Sequence, residues 1–409
     1  MRKDTQGIMK KTKYAIALAA LGVLSLGVMG CGKKETSTEA TTETTTTEAT
    51  TEATTEAATE VQHEGVYNDL TGEWVTDRTE EYGRPIAVML NNISDAMPQC
   101  DIGKADIVYE MKVEGGITRL LGIFNDYSNL EKLGSIRSCR PYYVTVAMEY
   151  DAIYMHYGQS PQGEEKLSSS GINNLSGLSS EGGVTYYRAS DRVSPHNVFT
   201  DTEKIKAGIE QKGYETKHSD SFKSVFSFNE EITAPAGGEK AEKITTPISN
   251  YTTPWFEYHA DDGLYYRFQY GGEQTDGNTG DQLKYENVLI QFAHYTSIDD
   301  HDRQQLDLVG EGTGLYASNG VIVPVTWKKS SENAITKYYT EDGNELKLNP
   351  GKTWVTVFEK DKADSVTWES TNKYIRKKEN RQVKANNYQP VFCIDLMDVQ
   401  IIMIRGDYL

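Results

Sequence analysis

The residues best suited to chemistry are five arginines in the stretch from Asp106 to Asn197. That stretch holds only three lysines, whereas the rest of the chain holds eight arginines and 26 lysines. An arginine binds carboxylate or phosphate through a rigid two-pronged fork, while a lysine is a flexible point charge. The local preference for arginine therefore indicates fixed, partly buried pairing with anionic groups. The five are Arg119, Arg137, Arg140, Arg188 and Arg192.

Two interpretations of these arginines are open. In the first, they converge on one phosphate or carboxylate group of a ligand, at the carboxyl ends of strands, where open α/β sheets bind ligands. Further donors would be Asn91, Asn92, Ser138, Ser160 and N–H groups near Gly158. In the second, the arginines pair internally, because a buried arginine usually has a carboxylate partner. The internal partners would be Glu114 for Arg119, and Asp191 or Asp106 for Arg192.

Acid–base catalysis is the second type of chemistry that the residues of this stretch allow. Glu110 and Glu114 lie among apolar residues, a setting that can raise the pKa of a carboxyl group. His156 stands at the end of a predicted strand, and His196 stands on a turn next to Asn197. For both histidines, a structural hydrogen-bonding role competes with a role as a base.

Metal and nucleophile sites have less support. His156, His196 and a carboxylate lack the close spacing of a metal motif, so we expect neither a metal nor a cofactor. Ser160 lies in a Gly-Gln-Ser-Pro-Gln-Gly string, which is not the Gly-x-Ser-x-Gly elbow of hydrolases. Cys139, between Arg137 and Arg140, would have a lowered pKa if it were exposed, but burial is equally open.

Strands alternating with helices must position these side chains. The alternation predicts an α/β or α+β N-terminal domain over residues 65–224, a sheet with packed helices. The predicted strands are 84–92, 106–110, 117–124, 132–138 and 151–156. The predicted helices are 141–148, which begins at a proline, 162–168, and 202–212, which ends at a glycine.

A smaller, mostly β C-terminal domain is predicted over residues 225–360. Its hairpin turns are Asp261-Asp262-Gly263 and Glu341-Asp342-Gly343-Asn344. The predicted strands are 255–258, 264–270, 285–294, 320–327, 336–339 and 353–358. Residues 361–409 mix charged stretches with an apolar run at 399–404. We expect an atypical appendage that adds a strand to one of the two domains.

Residues 1–30 have the features of a lipoprotein signal peptide. Lysines at 10, 11 and 13 precede the apolar run 14–29, which is shorter than the ~20 residues of a membrane span. Val28-Met29-Gly30-Cys31 has the form of a bacterial lipobox. We therefore expect acylation at Cys31, which would attach the protein to the lipid bilayer at its extracytoplasmic face. An uncleaved N-terminal anchor is the alternative.

The composition after Cys31 predicts a disordered tether over residues 31–64, because it is almost wholly Thr, Glu and Ala. The net charge of −18 at pH 7 argues against nucleic acid as a partner and against a broad electrostatic attraction to anionic lipid. In an exported protein, a disulfide between Cys100 and Cys139 is also open.

Several strings in fixed order carry a resemblance to a known family. They are Ile107-Val108-Tyr109-Glu110, Glu114 to Arg119, Ser135 to Ser138 with Arg140-Pro141-Tyr142, Ser194-Pro195-His196-Asn197, and Lys347 to Trp354. Together with the lipobox, they resemble the YerB-like lipoproteins of Gram-positive bacteria. The resemblance covers residues 84–358 and implies an anchored protein with two domains of unknown function. It implies no reaction, and residues 361–409 depart from the family pattern.

The leading hypothesis is an extracytoplasmic, lipid-anchored protein of unknown activity. It would bind an anionic cell-wall glycopolymer or an envelope protein through an Arg-rich cleft. One alternative is an envelope glycopolymer phosphotransferase or hydrolase, in which Asp106 would work beside Arg137 and Arg140. Another is a structural module in which every arginine is paired internally.

Overall fold

A computed structural model describes residues 63–78 and 81–370 of the chain. The predicted signal peptide, Cys31, nearly all of the predicted tether and the apolar run 399–404 lie outside these residues. Among the described residues, no helix combines the length and the apolar character needed to cross a bilayer.

Strands greatly outnumber helices in this part of the chain. The α-helices are α1 (Pro141–Glu149), α2 (Pro161–Ser170), α3 (Gly182–Thr185) and α4 (Thr202–Lys212). The first strands are β1 (Val66–Asn68), β2 (Glu73–Val75), β3 (Ile86–Asn91), β4 (Ile107–Lys112), β5 (Thr118–Phe124), β6 (Leu133–Gly134), β7 (Ile153–His156), β8 (Asn174–Ser176), β9 (Tyr187–Arg188) and β10 (Val198–Thr200). Short 3-10 helices lie at Ser94–Ala96, Ile102–Lys104, Glu114–Gly116 and Lys360–Ser365.

The remaining strands follow residue 225. They are β11 (Ser227–Phe228), β12 (Glu239–Lys240), β13 (Lys243–Thr245), β14 (Trp255–His259), β15 (Leu264–Gln269), β16 (Gly272–Glu273), β17 (Lys284–Tyr285), β18 (Asn287–Ala293), β19 (Tyr295–Ser297), β20 (Gln304–Leu306), β21 (Gly310–Ser318), β22 (Val321–Lys329), β23 (Lys337–Tyr339), β24 (Lys347–Leu348), β25 (Thr353–Glu359) and β26 (Thr367–Glu369).

A mixed sheet of eleven strands organises the fold. Its order is β12, β22, β21, β18, β25, β4, β5, β3, β7 and β8, with β23 paired to β22. Neighbours β18, β25 and β4 run parallel, as do β3, β7 and β8, and β5 is antiparallel to both β4 and β3. These six parallel strands therefore present their carboxyl ends at one edge, which we call the carboxyl edge.

The sheet continues across the two predicted domains. β25 pairs in parallel with β4, from Thr353 opposite Ile107 to Thr356 opposite Glu110. Strands from both predicted domains thus share one hydrogen-bonded ladder. A second sheet, in the order β16, β15, β14, β13 and β26 with β17 paired to β15, belongs to the C-terminal part.

The central strands are buried on both faces, which explains their nearly unbroken apolar runs. Every residue of β3, β5 and β18 is buried. Along β3, Ala87 and Met89 pack into one hydrophobic cluster, while Ile86, Val88 and Leu90 pack into another on the opposite face. This is the period of two that a strand imposes on its side chains.

Local capping residues set the helix ends. Ser160 Oγ accepts the Gly163 N–H at the start of α2, and the Asp201 side chain accepts the Lys204 N–H at the start of α4. α4 ends at Gly213, whose φ of 62° suits a residue without Cβ. Its bounds are the predicted 202–212.

Most predicted elements are confirmed, and the described part of the chain is rich in sheet with few helices. One predicted strand differs from the structure, and one long strand was not predicted. Of the predicted strand 132–138, only Leu133–Gly134 is a strand, and it pairs with β10 instead of entering the central sheet. The nine-residue β21 was not predicted, because three glycines at 310, 312 and 314 hide its strand character.

Part of the predicted appendage is described. β26 pairs antiparallel with β13, from Thr367 opposite Thr245 to Glu369 opposite Lys243. The start of the appendage therefore adds a strand to the second sheet.

Candidate functional site

The candidate site lies at the carboxyl edge, where loops leave the parallel strands. Glu114 follows β4 on a 3-10 turn, and Arg119 stands near the start of β5. Arg137 and Arg140 lie on the segment that leads into α1. Its backbone is held by hydrogen bonds from Arg137 N–H to Met89 O (2.9 Å) and from Cys139 N–H to Gly158 O (2.9 Å). Residues distant in sequence are thus brought together at the edge where α/β sheets commonly bind ligands.

Glu114 is shared by two buried arginines. Arg119 Nη2 donates to Glu114 Oε1 at 3.1 Å, and Arg140 Nε donates to Oε2 at 2.8 Å. Arg140 Nη2 also donates to Oε1. The remaining Nη1 groups donate to backbone carbonyls, Arg119 to Ser138 O and Arg140 to Cys139 O, both at 2.7 Å. The internal pairing of Arg119 with Glu114 is therefore present, and Arg140 shares it.

Arg137 completes a group of three guanidiniums, which we call the arginine cluster. Its Nη1 donates to Pro195 O at 3.2 Å, and among the described residues it has no carboxylate partner. The Nε atoms of Arg119 and Arg137 are buried and have no hydrogen-bond partner there. Three positive charges face the one negative charge of Glu114, which leaves a local excess of two.

The pKa values follow from this crowding. Burial alone would raise the pKa of Glu114, but the hydrogen bond from Arg140 and the charge of Arg119 outweigh it and lower the pKa to about 2. Burial and the neighbouring Arg140 lower the pKa of Arg119 to about 10. Burial, and then the charge of Arg140, also lowers the pKa of Arg137. Glu114 and Arg119 therefore remain charged near neutral pH.

Asn91 and His196 lie beside the cluster. Asn91 Nδ2 is 2.8 Å from His196 Nδ1, so Nδ1 accepts a hydrogen bond and the neutral ring carries its proton on Nε2. Burial, and then the charge of Arg137, lowers the pKa of His196. His196 is therefore a neutral, oriented donor near neutral pH.

Arg188 and Arg192 do not join the arginine cluster through any hydrogen bond between described residues. Arg188 Nη1 donates to Asn197 Oδ1 at 2.8 Å, and its guanidinium lies 5.3 Å from the centre of the Tyr157 ring. Arg192 donates to the backbone carbonyls of residues 96–98, not to the expected Asp191 or Asp106. The expected convergence of five arginines is thus reduced to three.

Glu110 belongs to a different environment, inside the protein. Its Oε2 accepts a hydrogen bond from Arg267 Nη2 at 2.7 Å, and both side chains are fully buried. Asn92 Nδ2 and Thr118 Oγ1 donate to Glu110 Oε1 at 3.1 and 3.0 Å. Burial lowers the pKa of Arg267. Glu110 is a structural ion-pair partner, and the prediction that it takes part in a ligand site finds no contact to support it.

His156 is also a structural group. The ring is fully buried, with Nδ1 2.8 Å from Gly158 O and Nε2 3.3 Å from Asn174 Oδ1. Burial lowers its pKa. A ligand cannot reach the ring, so it supports the loop at Gly158 rather than acting as a base.

For the two cysteines, the structure agrees with the burial alternative and not with the disulfide or the exposed thiol. Cys100 and Cys139 are both buried free thiols, so the disulfide between them is not formed. Burial raises the pKa of Cys139 to about 12, although the charges of Arg140 and Arg119 act to lower it. Cys139 is therefore not an activated nucleophile. The described residues also contain no group of three or more His, Cys, Asp and Glu side chains that could hold a metal ion.

Asp106 lies at the far end of β4 from Glu114. It precedes Ile107, whereas Arg119 pairs with Met111, five residues further along. At ~3.3 Å per residue, the separation is roughly 17 Å. Asp106 instead accepts hydrogen bonds from Asn68 Nδ2 and the Asn125 N–H, and burial raises its pKa to about 6.

Two residues that sequence reasoning missed hold the turn that carries Glu114. Ser249 Oγ and the Asn250 N–H both donate to Gly116 O, at 3.2 and 3.0 Å. The Asn250 side chain packs so closely that a Cβ on Gly116 would lie 2.1 Å from its Nδ2. The glycine pair at 115 and 116 signalled a tight turn, but nothing in the sequence signalled its partner.

Comparisons with known proteins agree on one family. Residues 70–215 match the model described as "Protein of unknown function (DUF3048) N-terminal domain", and residues 244–355 match the corresponding C-terminal domain. "Putative lipoprotein YerB" of Bacillus subtilis strain 168 is 34% identical over 289 residues, which cover 70% of this chain and 83% of that protein. The crystal structure of YerB from Bacillus subtilis aligns with a TM-score of 0.65 at 31% identity, over 74% of this chain and 99% of that one.

Proposed function

This chain belongs to the YerB-like lipoprotein family, and we propose that it is a lipid-anchored protein of the extracytoplasmic face that binds an anionic envelope ligand. The binding groups are the guanidiniums of Arg119, Arg137 and Arg140. The family descriptions name no reaction, so the proposal depends on the charges and contacts of this chain.

One observation carries the proposal: the arginine cluster holds three guanidiniums but only one carboxylate, Glu114, which contacts Arg119 and Arg140 and not Arg137. Arg119 and Arg140 are only 3% and 7% exposed, so their charges are largely removed from water. Buried charge without a matching opposite charge is costly. An anion bound at the partly exposed Arg137 supplies the missing negative charge.

The arginines have different parts in this proposal. Arg137 and Ser138 are partly exposed and offer access from solvent, whereas Arg119 and Arg140 strengthen the positive potential from behind. His196 adds a neutral donor at the side. The overall charge of −18 repels anions at long range, so selection depends on short-range, forked hydrogen bonds.

The relative and the sequence both support the proposed location of the protein. The Bacillus subtilis relative is named a lipoprotein, and this chain has a lipobox at Val28-Met29-Gly30-Cys31. A lipid-anchored protein outside the membrane meets cell-wall glycopolymers and other envelope proteins, and these are the proposed partners. Nucleic acid is not among them.

No second function is proposed. Glu114, with its pKa near 2, is too weak a base to accept a proton near neutral pH. Asp106 is too far from the cluster to act on a ligand bound there. A purely structural module leaves the position of Arg137 unexplained, since its side chain has no carboxylate partner in the described part of the chain.

Isothermal titration calorimetry of the full chain with inorganic phosphate tests the proposal. We expect Arg137→Ala to weaken binding at least about tenfold, since a hydrogen bond to a charged group contributes about 1.5–3 kcal/mol. Arg303→Ala is the matched control, because Arg303 has its own carboxylate, with Nη1 2.8 Å from Asp299 Oδ2. Equal phosphate binding by wild type and Arg137→Ala, or no binding of phosphate by the wild type, contradicts the proposal.

A further inference from the structure

We propose that the ligand of the arginine cluster is a phosphate monoester of an apolar alcohol. Arg137 and its neighbours bind the phosphate, and the exposed side chain of Leu178 contacts the apolar group. This inference rests on the proposed function and adds the chemical class of the ligand.

Leu178 lies across Gly158 from Ser138, the residue that follows Arg137 of the cluster. A Cβ placed on Gly158 would be 3.1 Å from Ser138 Oγ and 4.0 Å from Leu178 Cδ1, so these two atoms are within about 7 Å of each other. The φ of 82° at Gly158 favours glycine, and we call the surface at Gly158, between Ser138 and Leu178, the notch. The carbonyl of Ser138 accepts a hydrogen bond from Arg119 Nη1 at 2.7 Å, so Ser138 connects the notch to the cluster.

Tyr157 joins the charged and apolar sides of this notch. Its N–H donates to Arg137 O at 3.0 Å, and its ring packs on Gly177, the residue before Leu178. The Arg188 guanidinium lies 5.3 Å from the centre of the same ring. Cationic groups and apolar carbon therefore stand side by side on one surface.

The charge of the cluster favours a phosphate monoester over a carboxylate. The local excess is two positive charges, and a carboxylate carries only one negative charge. A phosphate monoester carries about −1.5 to −2 at pH 7 and offers three acceptor oxygens. Its charge therefore matches the excess, and its oxygens can reach more than one guanidinium.

The exposure of Leu178 favours an apolar group next to that phosphate. The Leu178 side chain is 64% exposed and is therefore free to contact a ligand that is bound at the arginine cluster. A single exposed leucine is common on protein surfaces, and its position beside the cluster is what makes this one informative. Covering it with about two methylene groups of a ligand strengthens binding about tenfold.

Titration of the full chain with inorganic phosphate and with n-hexyl phosphate tests the inference. We expect hexyl phosphate to bind about tenfold more tightly than phosphate. Leu178→Ser should remove this difference while leaving the affinity for phosphate unchanged. Ile232→Ser is the control, because Ile232 is similarly exposed, at 59%, and is remote in sequence from every residue of the notch.

The outcomes separate the inference from the proposed function. If phosphate binds and depends on Arg137 but hexyl phosphate binds no better, the apolar part is refuted and the anion site stands. A hexyl advantage that survives in Leu178→Ser, or an affinity for hexyl phosphate that Arg137→Ala leaves unchanged, also refutes the inference. If neither compound binds to the wild type, both proposals fail together.

Discussion

Removal of Arg267 should destabilise the protein strongly, because it leaves a buried carboxylate without its counter-charge. Arg267 and Glu110 are both completely buried and meet at 2.7 Å. The guanidinium also lies 4.4 Å from the Trp354 ring centre and 4.7 Å from that of Phe256. Arg267→Met keeps much of the apolar volume and removes the charge.

The expected loss is about 3–5 kcal/mol of the free energy of unfolding, the usual cost of breaking a buried ion pair from one side. Asn92 and Thr118 still donate to Glu110, but neutral donors replace only part of the lost interaction. Glu110→Gln should cost a similar amount for the converse reason. The double variant should cost clearly less than the sum of the two single changes, since no unpaired charge remains.

Urea denaturation followed by tryptophan fluorescence measures these changes. Trp354 packs against the guanidinium, so its emission should report directly on the site. Arg303→Met is the matched control, because it breaks the partly exposed pair with Asp299 and should cost at most about 1 kcal/mol. If Arg267→Met costs no more than Arg303→Met, or if the double variant shows simple additivity, the description of a buried, coupled pair is wrong.

Two further predictions concern pH and the turn at Glu114. The pKa of Asp106 is raised from 3.8 to about 6, so folding favours the protonated carboxyl group. The stability that this proton contributes is complete below pH 4 and is lost as the pH rises through 6. The difference between these two pKa values corresponds to about 3 kcal/mol. Asp106→Asn should therefore flatten the dependence of the unfolding free energy on pH between 4 and 6, and an unchanged slope would contradict this. Gly116→Ala should destabilise the protein by about 1–3 kcal/mol and weaken phosphate binding, because Gly116 has a φ of 72° and no room beside Asn250. Gly263→Ala, at a φ of 79° with open space around it, is the control and should leave phosphate binding unchanged.

The sequence predicted elements best where local signals agree with the final packing. The helix 202–212 ends at the predicted glycine, and the structure adds a capping aspartate, Asp201, before it. β3 and β25 are apolar runs bounded by turns, and their burial in the sheet matches that pattern. β21 escaped prediction because its stability comes from pairing with β18 and β22 and not from its own glycine-rich sequence.

Partners remote in sequence explain what was predicted wrongly at the site. The pair of Glu114 with Arg119 spans five residues across a turn, and it was foreseen. Glu110 seemed equally available, but its partner Arg267 is 157 residues away in the chain. Arg192 donates to backbone carbonyls, which no residue type reveals. The sequence shows which side chains are charged or able to donate a proton. It does not show which groups far away in the chain pair with them.

The parallel ladder between β4 and β25 has a consequence for biosynthesis. Until residues near 359 have emerged, one side of β4 has no partner strand, and its N–H and C=O groups are free to pair with another chain. Segments of such high sequence separation also meet slowly, because a long loop must close first. A protein exported as a growing or unfolded chain therefore needs protection from aggregation until its last third arrives, and a gene fragment that stops after the first matched region should yield insoluble material.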